Sequence, residues 1–411
     1  MNILMINWTW YPSGGDWTYI DNLNHLYQKN GHHIIPFSMK NELNISTPYD
    51  KYFVENINYK SLNQNINLTD GVRVLAKSIY SAEAIEKISK LLDENTIDLV
   101  HLNLIHKYIT PAIIKVIKAA NIPIIWTLHD YTIICPEGTF LSNGEVCEDC
   151  KVGKFYNATF KKCKKGSLMA SMVASIDNYT NHYLNFYQYV DYFICPSKFL
   201  FDKFKSYGFF PEKLRQIYHC YQTEDILKEQ ETRSTHQDKF IVYVGRLEKY
   251  KGIHTLLAAM RRCKNIHLKI VGDGSLNNEL KQYVSKHQLH NVQFLGKKNN
   301  TDVLAVVKQA EFLVCPSECY EIFGFTIIEA MLMQTPVIGA DIGAIPETVI
   351  PDQTGLLFEM GNEEQLAQQI ITLFNQPEKI KQLGLNAEIY IREMVNPAKY
   401  YQSLKEIVQQ L

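Results

Sequence analysis

A chain of 411 residues is too long for one ordinary hydrophobic core, so its length predicts two domains. Hydrophobic residues make up 46% of the chain and charged residues 21%, which is typical of a soluble globular protein. The formal net charge of −1 gives no global field for nucleic acid or an anionic membrane, and we expect no nucleic-acid partner.

The first segment, MNILMINWTWYP, has no basic residues before its apolar run, so we expect a buried first strand and not a signal peptide. No stretch reaches the roughly 18 uninterrupted apolar residues of a membrane-spanning helix. The best candidate, PAIIKVIKAANIPIIW, contains Lys115 and Lys118. These features predict a cytoplasmic protein whose nine cysteines are reduced thiols or metal ligands.

Short β-branched runs alternate with helical patterns in both halves of the chain. The runs are NILMIN, HIIPFS, IDLVHLN, IPIIWTLHD and YFICPS in the first half, and KFIVYVG, HLKIVG, VQFLG, EFLVCPS and TPVIGA in the second. Continuous apolar strands that alternate with helices predict parallel sheets covered on both faces. The fold class is therefore α/β, with two doubly wound domains in tandem.

The polar stretch 221–239 is the expected join between the domains. We assign 1–218 to the first Rossmann-like domain and 219–394 to the second, with a C-terminal helix, 395–411, joined to the first. Such sheets bind ligands beyond the carboxyl ends of their strands. If the two sheets face each other across a cleft, the residues that follow the strands line that cleft.

Two motifs follow strands in the first domain. Gly14 and Gly15 come after the first strand, and a glycine pair there allows the backbone to approach a phosphate closely. His129 and Asp130 end the strand IPIIWTL. A lone histidine is usually structural, but a His-Asp pair at a strand's carboxyl end is equally consistent with function, and both interpretations stay open.

Two motifs follow strands early in the second domain. Arg246 and Lys251 lie five residues apart in GRLEKYKG, which suits a diphosphate, although a solvated basic turn has the same composition. The turn in VGDGSLNNEL opens a helix. It lacks the full G-x-G-x-x-G pattern, so its support for a nicotinamide dinucleotide is weak.

The segment PSECYEIFGFTIIEA places Glu321 and Glu329 on either side of an apolar run. We expect a mostly buried helix from Phe325, preceded by Gly324, with Glu329 in its second turn. An anion could bind at the helix start, and the two acids could accept hydrogen bonds from a sugar or ribose. The alternative, that the acids only face water, is disfavoured by the apolar surroundings.

Together these motifs resemble those of a retaining glycosyltransferase of family 4 with the GT-B fold. The similarity covers nearly the whole chain, most densely 240–358. The matching motifs, in order, are GG, HD, GRLEKYKG, VGDGS, FLG, PSECYEIFGFTIIEA, TPVIGA, GAIPE and TGLLF. The chain departs from the pattern at Gln334, at Ala344 and in HCYQTED at 219–225.

The resemblance implies a role for each matching residue. Glu321 contacts hydroxyls of the donor sugar, and Glu329 holds the ribose of the nucleotide. The implied catalytic set is His129, Glu321, Arg246 and Lys251. The implied nucleotide-sugar-binding set is Gly15, Arg246, Lys251, Leu295, Phe323, Gly324, Phe325 and Glu329. Glu318 has no assigned role.

The function that the resemblance implies is transfer of a sugar, with retention, from a nucleotide-diphosphate sugar to a glycan or lipid-linked acceptor in bacterial surface polysaccharide biosynthesis. Two cations and a helix start can stabilise the leaving diphosphate, and there is no D-x-D motif near a strand end, so we expect no catalytic metal. The alternatives are a GT-B nucleotide-sugar epimerase and a non-catalytic sugar-nucleotide-binding protein.

Four cysteines lie close together in the sequence at 135–163. Cys147 and Cys150 form a C-x2-C pair, and Cys135 and Cys163 flank it at distances suited to a four-thiolate structural zinc site. Some family members have a similar insertion, so the resemblance also implies a structural zinc ion that holds this loop together. Free thiols or a disulfide are the alternative.

The same loop contains six lysines in KVGKFYNATFKKCKKG. A solvated loop explains them. They could also meet anionic lipid headgroups or a polyprenyl-diphosphate acceptor. The amphipathic segment KFLFDKFKSYGFF at 198–210 would support peripheral contact with the inner face of the membrane.

Overall fold

The computed structural model describes residues 1–56, 80–106, 108–222 and 239–411. The chain forms two compact units. Unit 1 comprises Met1–Asn143, Cys147–His219 and Ala398–Leu411, and unit 2 comprises Gly144–Val146 and Cys220–Pro397. Most of the segment predicted to join the domains, 223–238, lies outside the described residues.

In the described part of unit 1, six parallel strands form a sheet in the order β2-β1-β3-β4-β7-β8. The strands of this sheet are β1 (Asn2–Ile6), β2 (His33–Phe37), β3 (Leu99–Leu102), β4 (Ile124–Thr127), β7 (Tyr192–Cys195) and β8 (Leu214–Gln216). Unit 1 also has the short strand β5 (Leu141–Ser142), and the short strand β6 (Glu145–Val146) belongs to the segment 144–146 of unit 2.

In unit 2, six described strands form a second parallel sheet in the order β11-β10-β9-β12-β13-β14. These strands are β9 (Phe240–Val244), β10 (His267–Val271), β11 (Val292–Gly296), β12 (Leu313–Cys315), β13 (Val337–Ala340) and β14 (Gly355–Phe358). The predicted α/β class with two doubly wound domains is confirmed.

The described helices alternate with these strands. In chain order they are α1 (Gly15–Lys29), α2 (Ala82–Glu94), α3 (Ile113–Ala119), α4 (Tyr156–Phe160), α5 (Leu168–Tyr183), α6 (Lys198–Ser206), α7 (Ile253–Met260), α8 (Asn277–Lys286), α9 (Asn300–Gln309), α10 (Phe325–Leu332), α11 (Ile345–Thr348), α12 (Glu363–Phe374), α13 (Pro377–Met394) and α14 (Pro397–Val408). None of these described helices has the length and hydrophobicity to cross a bilayer.

The register of the first sheet brings the ends of its central strands together. All residues of β3 and β4 are buried, because a parallel sheet is covered on both faces. Ile6 of β1 pairs with Leu102 of β3, and Leu102 pairs with Trp126 of β4. The residues that follow these strands, Asn103 and His129 among them, therefore lie at one edge of the sheet.

The amphipathic segment 198–210 belongs to the interior of unit 1. In α6, Leu200 and Phe204 are fully buried, and the helix packs on β7 and β8. Phe209, which follows the helix, is also buried. The core of unit 1 therefore uses these three apolar residues of the segment, and contact of the segment with a membrane stays a prediction.

Candidate active site

An ion pair lies at the carboxyl ends of β9 and β12 in unit 2. Lys251 ends a short turn after β9, and its Nζ is 2.5 Å from Oε1 of Glu321. The hydroxyl of Ser317 donates to the same oxygen at 2.6 Å. The side chains of Lys251 and Glu321 are only 21% and 15% exposed, so the ion pair is shielded from solvent.

Charge complementarity keeps both partners ionised. Burial alone would raise the pKa of Glu321, but Lys251, Ser317 and Arg246 together lower it below its ordinary value. Burial likewise would lower the pKa of Lys251, and Glu321 raises it instead. Arg246 is exposed just beyond β9. A ligand at this edge therefore meets the held ion pair of Lys251 and Glu321 and the exposed cation of Arg246.

Two glycines allow the loops that bear this ion pair to approach each other. Gly252 has φ +66°, and a Cβ there would stand 1.7 Å from the carbonyl oxygen of Pro316. Gly343 has φ +62°, and its Cβ would stand 2.5 Å from the backbone nitrogen of Glu321. Both positions require glycine, because any side chain would push the strand-end loops apart.

The second acid of the predicted pair has a different environment. As predicted, α10 begins at Phe325 after Gly324, and Glu329 lies in its second turn. Glu329 is 8% exposed, and Tyr221 donates a hydrogen bond to its Oε1 at 3.1 Å. Burial raises the pKa of Glu329 to about 7, against the opposing effect of that hydrogen bond. Tyr221 was missed because it lies 108 residues away in the sequence.

The remaining predicted residues of unit 2 surround these acids or lie at the sheet edge. Phe323 is 5% exposed, and its ring meets that of Phe325 edge-on at 5.2 Å. Leu295 is partly exposed near the end of the edge strand β11. Glu318, which had no assigned role, accepts a hydrogen bond from Thr255 of α7 at 2.5 Å, so it helps to hold the loop to that helix.

In unit 1 the predicted histidine is held by an asparagine. His129 Nε2 lies 2.9 Å from Oδ1 of Asn103. The amide nitrogen of Asn103 faces Ile6 O at 3.3 Å and Met5 Sδ at 3.1 Å, so its oxygen is the atom that meets the histidine. Burial lowers the pKa of His129 to about 4. The ring is therefore neutral, with its proton on Nε2 and an acceptor at Nδ1.

An aromatic cluster that the sequence did not reveal surrounds His129. The ring of Tyr19 lies 4.8 Å from that of His129 and 4.1 Å from that of His219, and the two histidine rings stack at 5.3 Å. The Tyr19 hydroxyl contacts that of Tyr400 at 2.7 Å and His101 Nε2 at 3.4 Å. These residues come from five separate segments, so no local motif marks the cluster.

The other motifs of unit 1 divide between a helix start and a turn. Helix α1 begins at Gly15, and Gly14 before it has φ +141°. Asp16, in the first turn, has a pKa raised by burial, and it had not been singled out. Asp130 accepts a hydrogen bond from the backbone of Thr132 at 2.8 Å, so it caps the turn after β4.

The four clustered cysteines are reduced thiols. Cys135 and Cys150 are buried, Cys147 and Cys163 are half-buried, and Cys163 packs beside Cys150. Burial, followed by the nearby Cys135, Cys163 and Cys147 thiols, raises the pKa of Cys150 to about 12. Within the described residues, however, no three His, Cys, Asp or Glu side chains are arranged to hold a metal ion. A zinc site at these four thiols stays a prediction.

Family models match both units in succession. The model described as Glycosyltransferase Family 4 matches residues 13–225, more than half of the chain, and that described as Glycosyl transferases group 1 matches residues 225–389. The chain belongs to glycosyltransferase family 4. The family to which the motifs pointed is thereby confirmed.

Three curated relatives of this family 4 protein align with it over 154 to 164 residues. An uncharacterized glycosyltransferase of Methanocaldococcus jannaschii is 32% identical over 38% of this chain and 43% of its own length. A D-rhamnosyltransferase of Pseudomonas aeruginosa is 30% identical over 38% of this chain and 41% of its own length. An O-antigen chain mannosyltransferase of Escherichia coli is 30% identical over 39% and 44%. The chain thus spans less than half the length of these relatives.

Solved structures of the same architecture cover the whole family 4 chain. An Anabaena protein in complex with UDP has a TM-score of 0.65 and 20% identity, with 100% of both chains covered. A sucrose-phosphate synthase from Thermosynechococcus elongatus has a TM-score of 0.72 and 19% identity, covering 100% of this chain and 98% of its own. At these identities the comparison shows the GT-B fold.

Proposed function

We propose that this family 4 protein transfers a sugar, with retention of configuration, from a nucleotide-diphosphate sugar to a glycan or lipid-linked acceptor. The observation that best supports this function is the shielded Lys251–Glu321 ion pair with Arg246 beside it, at the carboxyl edge of the second sheet. A sugar diphosphate offers both partners this arrangement needs: anionic oxygens for the cations and hydroxyls for the carboxylate.

Each residue of unit 2 has a role in this proposal. When the bond between the anomeric carbon and the diphosphate oxygen breaks, negative charge grows on the leaving group and positive charge on the sugar. Arg246 and Lys251 stabilise the leaving diphosphate, together with the start of α10 at Gly324. Glu321 accepts a hydrogen bond from a donor hydroxyl, and Glu329 accepts one from the ribose. Leu295 lies beside the base.

Unit 1 supplies two further groups. The backbone at Gly15 approaches the diphosphate, and His129 contacts the sugar at the reacting centre. Because His129 is neutral and its Nε2 proton is engaged by Asn103, Nδ1 can accept a hydrogen bond from a sugar hydroxyl. In this role the histidine orients the sugar without adding charge beside the positive anomeric carbon.

The acceptor and setting belong to the same proposal. A role in surface polysaccharide assembly at the cytoplasmic face of a membrane is supported by the relatives named as a D-rhamnosyltransferase and an O-antigen chain mannosyltransferase. The six lysines between positions 151 and 165 are suited to anionic headgroups or to the diphosphate of a polyprenyl-linked acceptor.

The test begins with a thermal-shift screen of nucleoside diphosphates and their sugars, because a ligand that binds the folded state stabilises it. Transfer of the sugar that binds is then measured for Glu321→Gln and for Glu318→Gln, a matched control three residues earlier. We expect Glu321→Gln to lose about 100-fold or more of kcat, as for removal of a transition-state contact, and the control to retain most of its activity.

Unchanged turnover of Glu321→Gln would overturn the catalytic assignment. Incubation with donor alone separates the alternatives. A new sugar epimer formed without acceptor identifies an epimerase, whereas tight donor binding with no turnover under any acceptor identifies a binding protein.

A further inference from the structure

Helix α5 has its polar side chains inward and its apolar side chains outward. Its buried residues are Ser171, Ser175, Asn178 and Asn181. Its large exposed residues are Leu168, Met169, Ile176, Tyr179 and Tyr183, with exposures from 39% to 85%. A surface helix of a globular protein normally shows the opposite pattern. Among the described residues of the unit, this apolar face is therefore left largely exposed.

The inward face contacts α4 and the residues that flank it through hydrogen bonds. The Ser175 hydroxyl donates to the carbonyl of Phe155 at 2.8 Å. The Thr159 hydroxyl in turn donates to the Ser175 hydroxyl at 2.9 Å. The Ser171 hydroxyl accepts from the backbone of Lys164 at 2.9 Å. These hydrogen bonds of the small polar residues fix the orientation of α5. Because the helix is held in this orientation, its apolar residues point outward.

The apolar residues form one continuous surface. Met169, Met172, Ile176, Tyr179 and Tyr183 follow each other at alternating spacings of three and four, which places them in a single stripe along the helix. The backbone nitrogen of Tyr156 in α4 lies 3.3 Å from the Tyr179 hydroxyl. Phe160, one turn further along α4, is 77% exposed and extends the stripe. We call these residues the α4–α5 surface.

Lysines outnumber acids around this surface, and α5 itself contains one acid, Asp177. Residues 151–176 contain six lysines and no acid. Lys154, Lys162 and Lys165 are exposed and immediately flank α4 or the start of α5. Helices that lie in the interface of an anionic bilayer typically have lysines around an apolar and aromatic face. Tyrosine is also enriched in that interface.

We propose that the α4–α5 surface inserts into the headgroup region of an anionic membrane and holds unit 1 there. The apolar stripe enters the interface, and the lysines contact lipid phosphates. This inference deepens the proposed function, on which its biological purpose rests, because it gives the transferase a place beside a lipid-linked acceptor. A second copy of the chain is a poorer occupant, since pairing two such surfaces would bring their lysines together.

The test is co-sedimentation of the full chain with two kinds of vesicle: phosphatidylcholine alone, and phosphatidylcholine with about one third phosphatidylglycerol. The apolar variant is Met169→Ser, Ile176→Ser and Tyr183→Ser together. Its matched control replaces three exposed apolar residues of unit 2: Met360→Ser, Leu385→Ser and Ile389→Ser. The charge variant is Lys154→Glu, Lys162→Glu and Lys165→Glu, with Lys264→Glu, Lys286→Glu and Lys381→Glu as its control.

We expect the wild type to bind the anionic vesicles and not the neutral ones. The apolar variant should lose about tenfold or more of its vesicle affinity, and the charge variant about fivefold per lysine, while both controls bind like the wild type. Transfer to a soluble acceptor should be unchanged in the apolar variant. Vesicle binding without any sugar transfer would overturn the proposed function and leave this inference standing.

Three results would overturn the inference. They are a wild type that binds neither vesicle, an apolar variant that binds as tightly as its control, and light scattering that shows a dimer which the apolar variant converts to a monomer. The last result would assign the α4–α5 surface to a second copy of the chain.

Discussion

At the scale of single residues, the structure separates two acids that the sequence presents as a pair. Glu321 is charged and forms an ion pair with Lys251. The cation lowers the pKa of Glu321 by more than burial raises it. Glu329 has only a neutral donor, Tyr221, and burial raises its pKa to about 7. Two glutamates eight residues apart therefore have opposite pKa shifts, because a shift depends on partners and solvent and not on spacing.

Replacing Glu329 with Gln should stabilise the protein at neutral and higher pH. The folded state holds the Glu329 proton more tightly than the unfolded chain, so wild-type stability falls as pH rises from the ordinary pKa of 4.5 to about 7. Above that window the neutral variant should be more stable by up to about 3 kcal/mol. Thermal melts between pH 4 and pH 8 measure this difference. The prediction would be contradicted if the difference in melting temperature between variant and wild type were the same at pH 4 and pH 8. It would also be contradicted if the exposed control Glu378→Gln showed the same pH trend.

Replacing Asn103 with Asp should make His129 ionisable near neutral pH. A carboxylate in place of the amide would stabilise the imidazolium and raise the pKa of His129 from about 4 by about 1–3 units. NMR titration of the His129 ring measures the change, and His129→Asn assigns the signal. If the ring stayed neutral at pH 5 in the variant, Asn103 would not control its protonation.

At the scale of elements, strand ends and the loops behind them determine which side chains meet. The loop after β12 and the turn before α7 approach so closely that Gly252 would place a Cβ 1.7 Å from Pro316 O. The sequence shows glycines in both loops, but it does not show which backbone atoms they face. The contact joins positions 252 and 316, which no local rule connects.

Gly252→Ala should therefore disrupt the Lys251–Glu321 site. The left-handed φ costs about 1 kcal/mol, and the backbone clash adds about 1–3 kcal/mol. Gly361 has a similar φ, +77°, with no atom within 4 Å of its Cβ position, so Gly361→Ala should incur the first cost alone. Melting temperature and nucleotide-induced stabilisation are measured for both variants. Equal effects of the two substitutions would show that close approach is not what requires Gly252.

At the scale of the whole molecule, the end of the chain belongs to the first unit. Helix α14 follows all of unit 2, yet Ala398–Leu411 is part of unit 1. Tyr400, Leu404 and Ile407 are each less than 5% exposed, and Tyr400 bonds to Tyr19. The predicted domain limits of 218 and 394 lie within a few residues of the unit limits, His219 and Pro397.

Deleting residues 397–411 should destabilise unit 1 selectively. Loss of three buried apolar side chains costs about 5 kcal/mol or more. All four tryptophans, at positions 8, 10, 17 and 126, lie in unit 1, so tryptophan fluorescence reports on its unfolding alone. We expect the midpoint temperature of this transition to fall steeply when 397–411 are deleted, and to be nearly unchanged when only 409–411 are deleted. An unmoved fluorescence transition would show that unit 1 does not depend on α14.

The sequence by itself determined the features that depend on local pattern. Apolar runs and helical periodicity predicted the two parallel sheets, and ordered motifs predicted the family and the start of α10, because period and turn chemistry act between near neighbours. The tertiary structure alone decided the partners: Asn103 for His129, Tyr221 for Glu329, and the core for α6. It also placed the serines of α5 inward and its apolar residues outward. These outcomes depend on burial and on contacts between distant segments, and neither quantity is set until the chain has folded.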